Sequence, residues 1–368
     1  MAYKSRAAIC RELNKPVVVE TIGVDGPKRG EVTVKIAACG VCHSDLSATN
    51  GTIALPPPLV LGHEGAGEVI EVGEGVTGLA VGDHVVSSFI HMCGKCRFCA
   101  AGRPVLCLEQ HKALTTPLEG TPRTRDAKGQ PLGIFSGCGV MAEYATLSVE
   151  NLVKIDPKIP LDRAALVGCA VTTGVGAVFN TARVEPGSSV AVFGCGGVGL
   201  NVIQGAAIAG AERILAIDTM ESKLEMAKKF GATDTLLAKP GQDPTKEIKK
   251  LTGGGPDYAF ECVGVGALAE AAYKAIRRGG KAVIVGVARP TDSASFKPMS
   301  MVFEEKTLQG SYFGSSVPRV DFPRMLQLYM AGKLKLDELI TRRYKIDEAP
   351  QAFADLESGK NARGVIVF

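Results

Sequence analysis

The sequence predicts a two-domain α/β protein, in which a mostly β domain is followed by a doubly wound domain with a parallel sheet. Its 368 residues exceed what one hydrophobic core usually supports. Up to about residue 155, short alternating segments separated by glycine turns indicate irregular, mostly antiparallel strands. From about residue 188, strand-like and helical segments alternate, which is typical of a parallel sheet covered by helices.

The predicted elements follow this division in chain order. Alternating apolar and polar residues predict strands at 32–36, 67–73 and 83–86 in the first part. In the second part the sequence predicts alternating strands and helices at 189–193, 198–209, 213–217, 221–230, 257–260, 267–278 and 281–285. Helices are predicted at 322–331 and 348–358, and we expect a last strand at 364–368 to return to the first domain.

Charge and cysteine content narrow the class of protein. The formal net charge is only +4 and no dense basic run is present, so neither nucleic acid nor a membrane surface is expected as a partner. No apolar stretch reaches the roughly 18 residues of a membrane-spanning helix, and the N-terminus leads into a strand-like segment, so we expect a cytoplasmic protein. In that reducing compartment the 11 cysteines are expected to be metal ligands, catalytic groups or buried thiols.

The strongest local signal is a run of four closely spaced cysteines, Cys93, Cys96, Cys99 and Cys107. Four thiolates complete a tetrahedral zinc and leave no open position, so the run predicts a structural zinc site. An iron–sulfur cluster also uses four thiolates and ranks below zinc. A redox pair would account for only two of the four.

A glycine-rich turn between a predicted strand and a predicted helix is the second signal. Its residues are Gly194, Cys195, Gly196, Gly197, Val198 and Gly199. Gly194 allows the tight turn, Gly196 lets the backbone approach a pyrophosphate, and Gly199 lets the helix pack on the sheet. The free N–H groups and the positive dipole end of the helix favour phosphate there.

Asp218 predicts which dinucleotide binds, because it stands at the end of the next predicted strand. A carboxylate at that place can bind two ribose hydroxyls and would repel a 2′-phosphate. No basic residue follows it until Lys223. The sequence therefore favours NAD over NADP.

A third segment, Gly40-Val41-Cys42-His43-Ser44-Asp45, offers a thiol, an imidazole, a hydroxyl and a carboxyl at the end of a predicted strand. By itself it is ambiguous. Cys39 and Cys42 form a CxxC pair that fits half a zinc site, a redox pair or two buried thiols.

Taken together, these segments closely resemble the zinc-containing medium-chain alcohol dehydrogenases. The likeness runs nearly end to end and includes Gly62-His63-Glu64 and Val167-Gly168-Cys169. It implies a GroES-like, mostly β catalytic domain and a Rossmann domain. It also implies a catalytic zinc held by Cys42, His63 and Cys169, with a fourth position open for water or substrate. Cys39 is then a buried thiol.

The resemblance also implies roles for neighbouring residues. Because zinc lowers the pKa of a bound alcohol, an alkoxide can form and transfer hydride to NAD, and Ser44 matches the first hydroxyl of the proton relay. Ser47 stands where relatives often carry a histidine base, so the relay is expected to end in ribose hydroxyl and water. Asp45 matches the carboxylate that orients His63, and Glu64 matches an acid behind the metal. Further cofactor-binding positions implied by the resemblance are His43, Thr173, Val198, Lys223 and Arg363.

The resemblance places Phe89 and Phe135 in the substrate pocket near the zinc. An aromatic lining suits a primary alcohol with an aryl or extended aliphatic group, which would be converted reversibly to its aldehyde with NAD. The alternative is an S-(hydroxymethyl)glutathione, or formaldehyde, dehydrogenase. Enzymes of that kind hold glutathione with an acidic residue and an arginine, whose positions here carry Ile53 and His111. Cys169 and the four-cysteine run disfavour the polyol dehydrogenases.

The predicted catalytic domain comprises residues 1–171 and 312–368, with a zinc lobe at about 91–110, and the predicted NAD domain comprises 172–311. The long segment between Cys107 and Cys138 resembles a loop of dimeric relatives, so we expect a homodimer, with a tetramer as the alternative. A zinc-free NAD-binding protein is a hypothesis from another class, and the three predicted zinc ligands weigh against it.

Overall fold

The computed structural model describes residues 3–117, 120–239 and 241–368. These residues form two compact units. The first contains the described residues up to Cys169 together with Val317–Met330 and Leu336–Phe368. The second contains Ala170–Ser316 and Ala331–Lys335. Residues 118 and 119, in the loop on which the dimer prediction rests, lie outside the described part.

The first unit is mostly β, as the sequence predicts. Its strands are β1 (Tyr3–Cys10), β2 (Val18–Val24), β3 (Glu31–Val41), β4 (Leu59–Val60), β5 (Glu64–Val72), β6 (His84–Ser87), β7 (Thr124–Arg125), β8 (Pro131–Ile134), β9 (Tyr144–Ser148), β10 (Leu152–Lys154), β17 (Ile340–Tyr344) and β18 (Arg363–Val367). Its helices are α1 (His43–Thr49), α2 (Arg97–Ala100), α3 (Leu161–Ala165), α10 (Pro318–Met330) and α11 (Ala349–Glu357).

These strands form a small barrel and a larger sheet. The barrel has the order β1-β2-β7-β8-β4, and the sheet has the order β10-β6-β5-β3-β18-β17, with β9 also paired to β3. β18 pairs antiparallel with the end of β3, so Ile366 lies opposite Cys39. The expected return of the last strand to the first domain is therefore confirmed. Cys39 is fully buried in the apolar core of this sheet.

The second unit is doubly wound. Its strands are β11 (Ser189–Phe193), β12 (Arg213–Asp218), β13 (Asp234–Leu237), β14 (Tyr258–Glu261), β15 (Lys281–Ile284) and β16 (Thr307–Gly310). They form a parallel sheet in the order β13-β12-β11-β14-β15-β16. Its helices are α4 (Ala170–Gly176), α5 (Gly197–Ile208), α6 (Glu221–Lys229), α7 (Thr245–Leu251), α8 (Gly266–Ala275) and α9 (Pro298–Phe303). The predicted fold class is confirmed.

Within the described residues, no single helix is both long and apolar enough to cross a membrane. One broken pair of helices satisfies the length and composition criteria only when its two members are counted together.

Candidate metal and dinucleotide sites

Four side chains in the first unit converge on one buried point: Cys42, His63, Glu64 and Cys169. One potential ligand atom from each lies within 4.8 Å of every other. Cys42 stands between the end of β3 and the start of α1, where it is the N-cap of the helix. His63 immediately precedes β5, and Cys169 follows a short 3₁₀ turn at Leu166–Gly168. Each predicted zinc ligand therefore lies at the end of a strand or a helical turn, and these three ends meet.

The chemistry of this donor set fits zinc. The Nε2 atom of His63 is buried and has no hydrogen-bond partner among the described residues, which is the state expected of a nitrogen that ligates a metal. The neighbouring Cys169 thiol and the His63 imidazole lower the pKa of the Cys42 thiol well below its usual value, despite its burial. Two thiolates and one imidazole are a known ligand set of catalytic zinc, with the fourth position left for substrate.

Asp45 fixes the orientation of His63. The carboxylate is fully buried, and its Oδ2 lies 3.2 Å from Nδ1 of His63. It also accepts hydrogen bonds from the backbone N–H of Gly62 at 2.8 Å and of Cys42 at 3.3 Å. Burial alone would lower the pKa of His63, but the Asp45 carboxylate raises it well above the ordinary value. One carboxylate therefore ties together the chain segments that carry two of the ligands.

Glu64 and Arg363 form a fully buried ion pair beside the cluster. Burial raises the pKa of Glu64 to about 7, although the Arg363 charge opposes that shift. Gly40 makes room for the pair, because a Cβ at this position would lie 2.2 Å from Oε2 of Glu64. Arg363 belongs to β18, far from Glu64 in the sequence, and nothing local in the sequence indicates this contact.

The predicted relay residues lie on α1. The Ser44 hydroxyl is 3.7 Å from the Cys42 sulfur, so it stands next to the donor cluster. His43 is exposed at the first position of the helix. Ser47 lies one turn further along and is half-buried. Ser44 can accept a proton released at the cluster, and the helix surface carries His43 and Ser47 as the next polar groups.

Two phenylalanine rings pack against His63. The ring of Phe135 lies 5.3 Å from the imidazole centre and that of Phe89 lies 5.5 Å from it, and both meet it edge to face. Phe135 is fully buried and Phe89 is half-buried. The structure thus brings both predicted pocket residues next to a predicted zinc ligand. Their surfaces are suited to apolar parts of a substrate.

The four-cysteine run folds into a second donor cluster of Cys93, Cys96, Cys99 and Cys107. The Cys93 and Cys99 sulfurs are 3.9 Å apart, close to the separation of about 3.8 Å that two thiolates have on a tetrahedral zinc. The backbone N–H of Cys96 donates to the Cys93 sulfur, and that of Cys99 donates to the Cys96 sulfur. This chelate-like turn lowers the pKa of Cys96 to about 6, chiefly through the Cys99 N–H. The donor set fits a structural zinc.

In the second unit the glycine loop joins β11 to α5. Gly194 has a φ of +88°, which disfavours any residue with a Cβ, and Gly196 is the N-cap of α5. A Cβ on Gly199 would lie 1.8 Å from the carbonyl oxygen of Gly194, so only glycine permits this close packing. The loop therefore has the geometry of a pyrophosphate cradle.

Asp218 ends β12, the strand next to β11. Its Oδ2 accepts a hydrogen bond from the N–H of Cys195 at 2.8 Å, and Oδ1 accepts one from Met220 at 3.0 Å. The carboxylate is thus held against the glycine loop and keeps lone pairs for ribose hydroxyls. Lys223 is half-buried on α6, Val198 is half-buried on α5, and Thr173 is buried on α4. The loop and the carboxylate fit a nicotinamide dinucleotide.

Comparison with protein families agrees with this geometry. A model described as "Alcohol dehydrogenase GroES-like domain" matches residues 28–157, and one described as "Zinc-binding dehydrogenase" matches residues 197–331. Together they cover the metal lobe, two of the three predicted catalytic zinc ligands and the glycine loop from Gly197 onwards.

Similar proteins are matched over nearly their whole length. An S-(hydroxymethyl)glutathione dehydrogenase of Synechocystis sp. is 42% identical over 373 residues, which cover 99% of each chain. A protein of the same name from Escherichia coli O6:H1 is 41% identical over 367 residues, again with 99% of each chain covered. A crystal structure of benzyl alcohol dehydrogenase from Acinetobacter calcoaceticus is 33% identical, with a TM-score of 0.90 and coverage of 100% of this chain and 99% of that one. An alcohol dehydrogenase zinc-binding domain protein from Burkholderia ambifaria is 35% identical, with a TM-score of 0.95 and full coverage of both chains.

Proposed function

The chain belongs to the zinc-containing medium-chain alcohol dehydrogenase family, and we propose that it oxidises a hydroxymethyl group with NAD as the hydride acceptor. The observation that carries this proposal is the buried convergence of Cys42, His63 and Cys169 around one point. A ligand set of this kind supports a catalytic rather than a structural metal, because three protein ligands leave one position for substrate.

The residues around the cluster have separate roles in the proposed reaction. Zinc held there would supply a Lewis acid that lowers the pKa of the substrate hydroxyl, and NAD would accept the hydride. Ser44 accepts the hydroxyl proton while its own proton passes on towards solvent, as the first member of the relay. Asp45 holds the His63 imidazole in one orientation. Glu64, neutralised in part by Arg363, keeps an ionisable group next to the ligands.

For the substrate we propose S-(hydroxymethyl)glutathione, whose oxidation at the hydroxymethyl carbon gives a formyl thioester. The names of the relatives that are 41% and 42% identical support this reading better than the aryl or aliphatic alcohol expected from the sequence. Ile53 and His111 then replace the charged residues expected from the resemblance, so other groups of this chain would hold the glutathione charges.

A benzyl-type alcohol is the second candidate. The edge-to-face packing of Phe89 and Phe135 on His63 favours it, because an aryl ring stacks well on such a lining. The benzyl alcohol dehydrogenase among the similar structures supports the same candidate. The two substrates share the hydroxymethyl group and differ only in what bears it.

Initial rates of NADH formation separate these candidates. Formaldehyde with glutathione, formaldehyde alone and benzyl alcohol would be compared at equal concentrations. We expect kcat/KM for the glutathione adduct to exceed that for benzyl alcohol by about tenfold or more, equivalent to about 1.4 kcal/mol in transition-state binding. The reverse ranking would reject the glutathione substrate and leave the dehydrogenase activity in place.

A matched pair of cysteine variants tests the metal site itself. Cys42→Ala removes a predicted ligand and should abolish alcohol-dependent NADH formation together with one of the two zinc ions per chain. Cys39→Ala removes a buried cysteine that lies opposite Ile366 in the sheet and outside the donor cluster, so it should keep both metals. Full activity in Cys42→Ala would reject the proposal.

We further propose residues 1–171 with 312–368 as the catalytic domain and 172–311 as the NAD domain. A homodimer located in the cytoplasm completes the proposal, and light scattering of the purified protein would test the dimer.

A further inference from the structure

Ser87 ends β6 and directs its hydroxyl to the backbone around His63. The side chain is 2% exposed. Its Oγ accepts a hydrogen bond from the N–H of Gly65 at 2.8 Å and donates one to the carbonyl oxygen of His63 at 3.0 Å. The hydroxyl therefore bridges the residues on either side of Glu64.

The bridge lies where the ladder between β5 and β6 ends. The last paired residues of this ladder are Ala66 and Val86. Beyond them, the Ser87 side chain supplies the donor and the acceptor that a partner strand would otherwise supply. His63 and Gly65 are buried, so without the hydroxyl their backbone groups would have no water to bond.

The segment that carries Ser87 is itself fixed. The N–H of Ser88 donates to the carbonyl oxygen of Asn151 at 2.8 Å, and the Asn151 amide donates to the carbonyl oxygen of Ser88 at 2.7 Å. Asn151 is fully buried. Two residues beyond Ser87, the ring of Phe89 packs on the imidazole of His63. One short segment thus contacts both the backbone and the ring of a single ligand.

His63 is therefore held by two independent supports. Asp45 fixes the ring through Nδ1, and Ser87 fixes the main chain from which the ring projects. The backbone sets the direction of the Cα–Cβ bond of His63, from which the ring projects. A small rotation of the main chain would therefore displace the Nε2 atom of His63. We propose that Ser87 is a positioning residue that sets His63 for the catalytic zinc, an inference that rests on the proposed function.

Ser87→Ala tests this role, with Ser88→Ala as the matched control. The Ser88 hydroxyl bonds the backbone of Ile90 and, among the described residues, no predicted metal ligand. Both substitutions remove one hydroxyl from a buried serine. Zinc release to a chelator would be followed in time, and the catalytic site would also be loaded with cobalt to record its visible spectrum.

Loss of a group that supports a metal ligand typically lowers metal affinity about 10- to 100-fold, so in Ser87→Ala we expect the catalytic metal to leave faster by about that factor. The cobalt spectrum should change, and the zinc of the four-cysteine lobe should leave at the wild-type rate. Ser88→Ala should match the wild type in all three measurements. Equal release from both variants, or faster release of both zinc ions in Ser87→Ala, would assign Ser87 a structural role only.

The design also separates this inference from the proposed function. A wild-type protein that binds no metal at Cys42, His63 and Cys169 would refute the proposed function itself. If Ser87→Ala does not fold, Ser87→Cys retains a weaker donor and acceptor of similar size. Release from that variant should be faster than from the wild type, and unchanged release would overturn the inference.

Discussion

Asp218 provides a sharp test of how this chain selects its dinucleotide. The carboxylate lies at the end of β12, held by the N–H groups of Cys195 and Met220. We predict that Asp218→Asn lowers kcat/KM for NAD and raises it for NADP. Asparagine keeps the size of the side chain but only one acceptor oxygen, so it removes the charge and also turns an NH2 group towards one of these two backbone N–H groups.

The expected magnitude has two parts. Hydrogen bonds from ribose hydroxyls to a charged acceptor contribute about 1.5–3 kcal/mol each. The neutral amide of Asp218→Asn keeps part of this energy, so only the remainder is lost for NAD. Repulsion between a carboxylate and a 2′-phosphate about 5 Å away is about 3 kcal/mol per unit charge at an effective dielectric constant of about 20. Asp218 is partly exposed, so solvent screening reduces this repulsion substantially. The sum is about 3 kcal/mol, which corresponds to about a 100-fold change in the NAD:NADP ratio.

Initial rates with one alcohol at saturation and each dinucleotide varied give that ratio directly. Glu221→Gln is the control, because it removes an exposed carboxylate from the start of α6 without touching the glycine loop. A ratio that changes less than about threefold in Asp218→Asn, or equally in both variants, would refute the assignment of cofactor choice to Asp218.

Three further predictions concern metal binding and stability. Cys99→Ala should lose one zinc per chain, as metal analysis would show, and calorimetry should show a lower thermal midpoint. The catalytic rate of the protein that remains folded should change little. Arg123→Met leaves the Glu31 carboxylate buried and unpaired, so unfolding in urea should show a loss of about 3–5 kcal/mol, most of it recovered when Glu31→Met is added. Burial raises the pKa of Glu261, so its ionisation in the folded state weakens stability as pH rises above about 4.5. Glu261→Gln can still accept the N–H groups of Val263 and Gly264, so its stability relative to the wild type should increase between pH 4 and pH 7 in denaturant titrations.

Elements defined by local rules could be predicted from the sequence. The glycine loop follows a buried strand and opens a helix, so both neighbours mark it, and β11 has the predicted bounds of 189–193. The predicted helix at 198–209 is observed at Gly197–Ile208. The sequence does not predict β13, because Asp234–Leu237 is short and none of its residues is buried, so it lacks the apolar pattern of a central strand.

The barrel strands could not be predicted for a different reason. β4 and β7 each contain two residues, and such short strands are defined by their partners rather than by their own periodicity. For α10 the sequence predicts a start at Phe322, because proline is typical of the first turn of a helix, whereas the observed helix begins one turn earlier at Pro318 and contains Pro323. In both cases tertiary contacts override the local signal.

The two metal sites differ in the same way. The lobe cysteines lie within one short segment, and their spacing alone indicates four ligands on one ion. The other cluster takes its ligands from three distant places, so only the likeness to a family linked Cys169 to Cys42 in the sequence. No sequence pattern predicts the ion pair of Glu64 and Arg363. None predicts the contact of the Ser87 hydroxyl with the backbone of His63.

Gly40 shows what the structure adds to a residue that the sequence already singles out. Its motif context marks the end of a strand, and its φ is not among the positive values that favour glycine. The reason for glycine is space, because a Cβ would lie 2.2 Å from Glu64 and 3.1 Å from Arg363. The absence of a side chain at this position lets a buried ion pair lie beside the zinc ligands. The need for glycine at this position is therefore set by residues from β5 and β18. It can be recognised only in the structure, where these two strands lie on either side of β3.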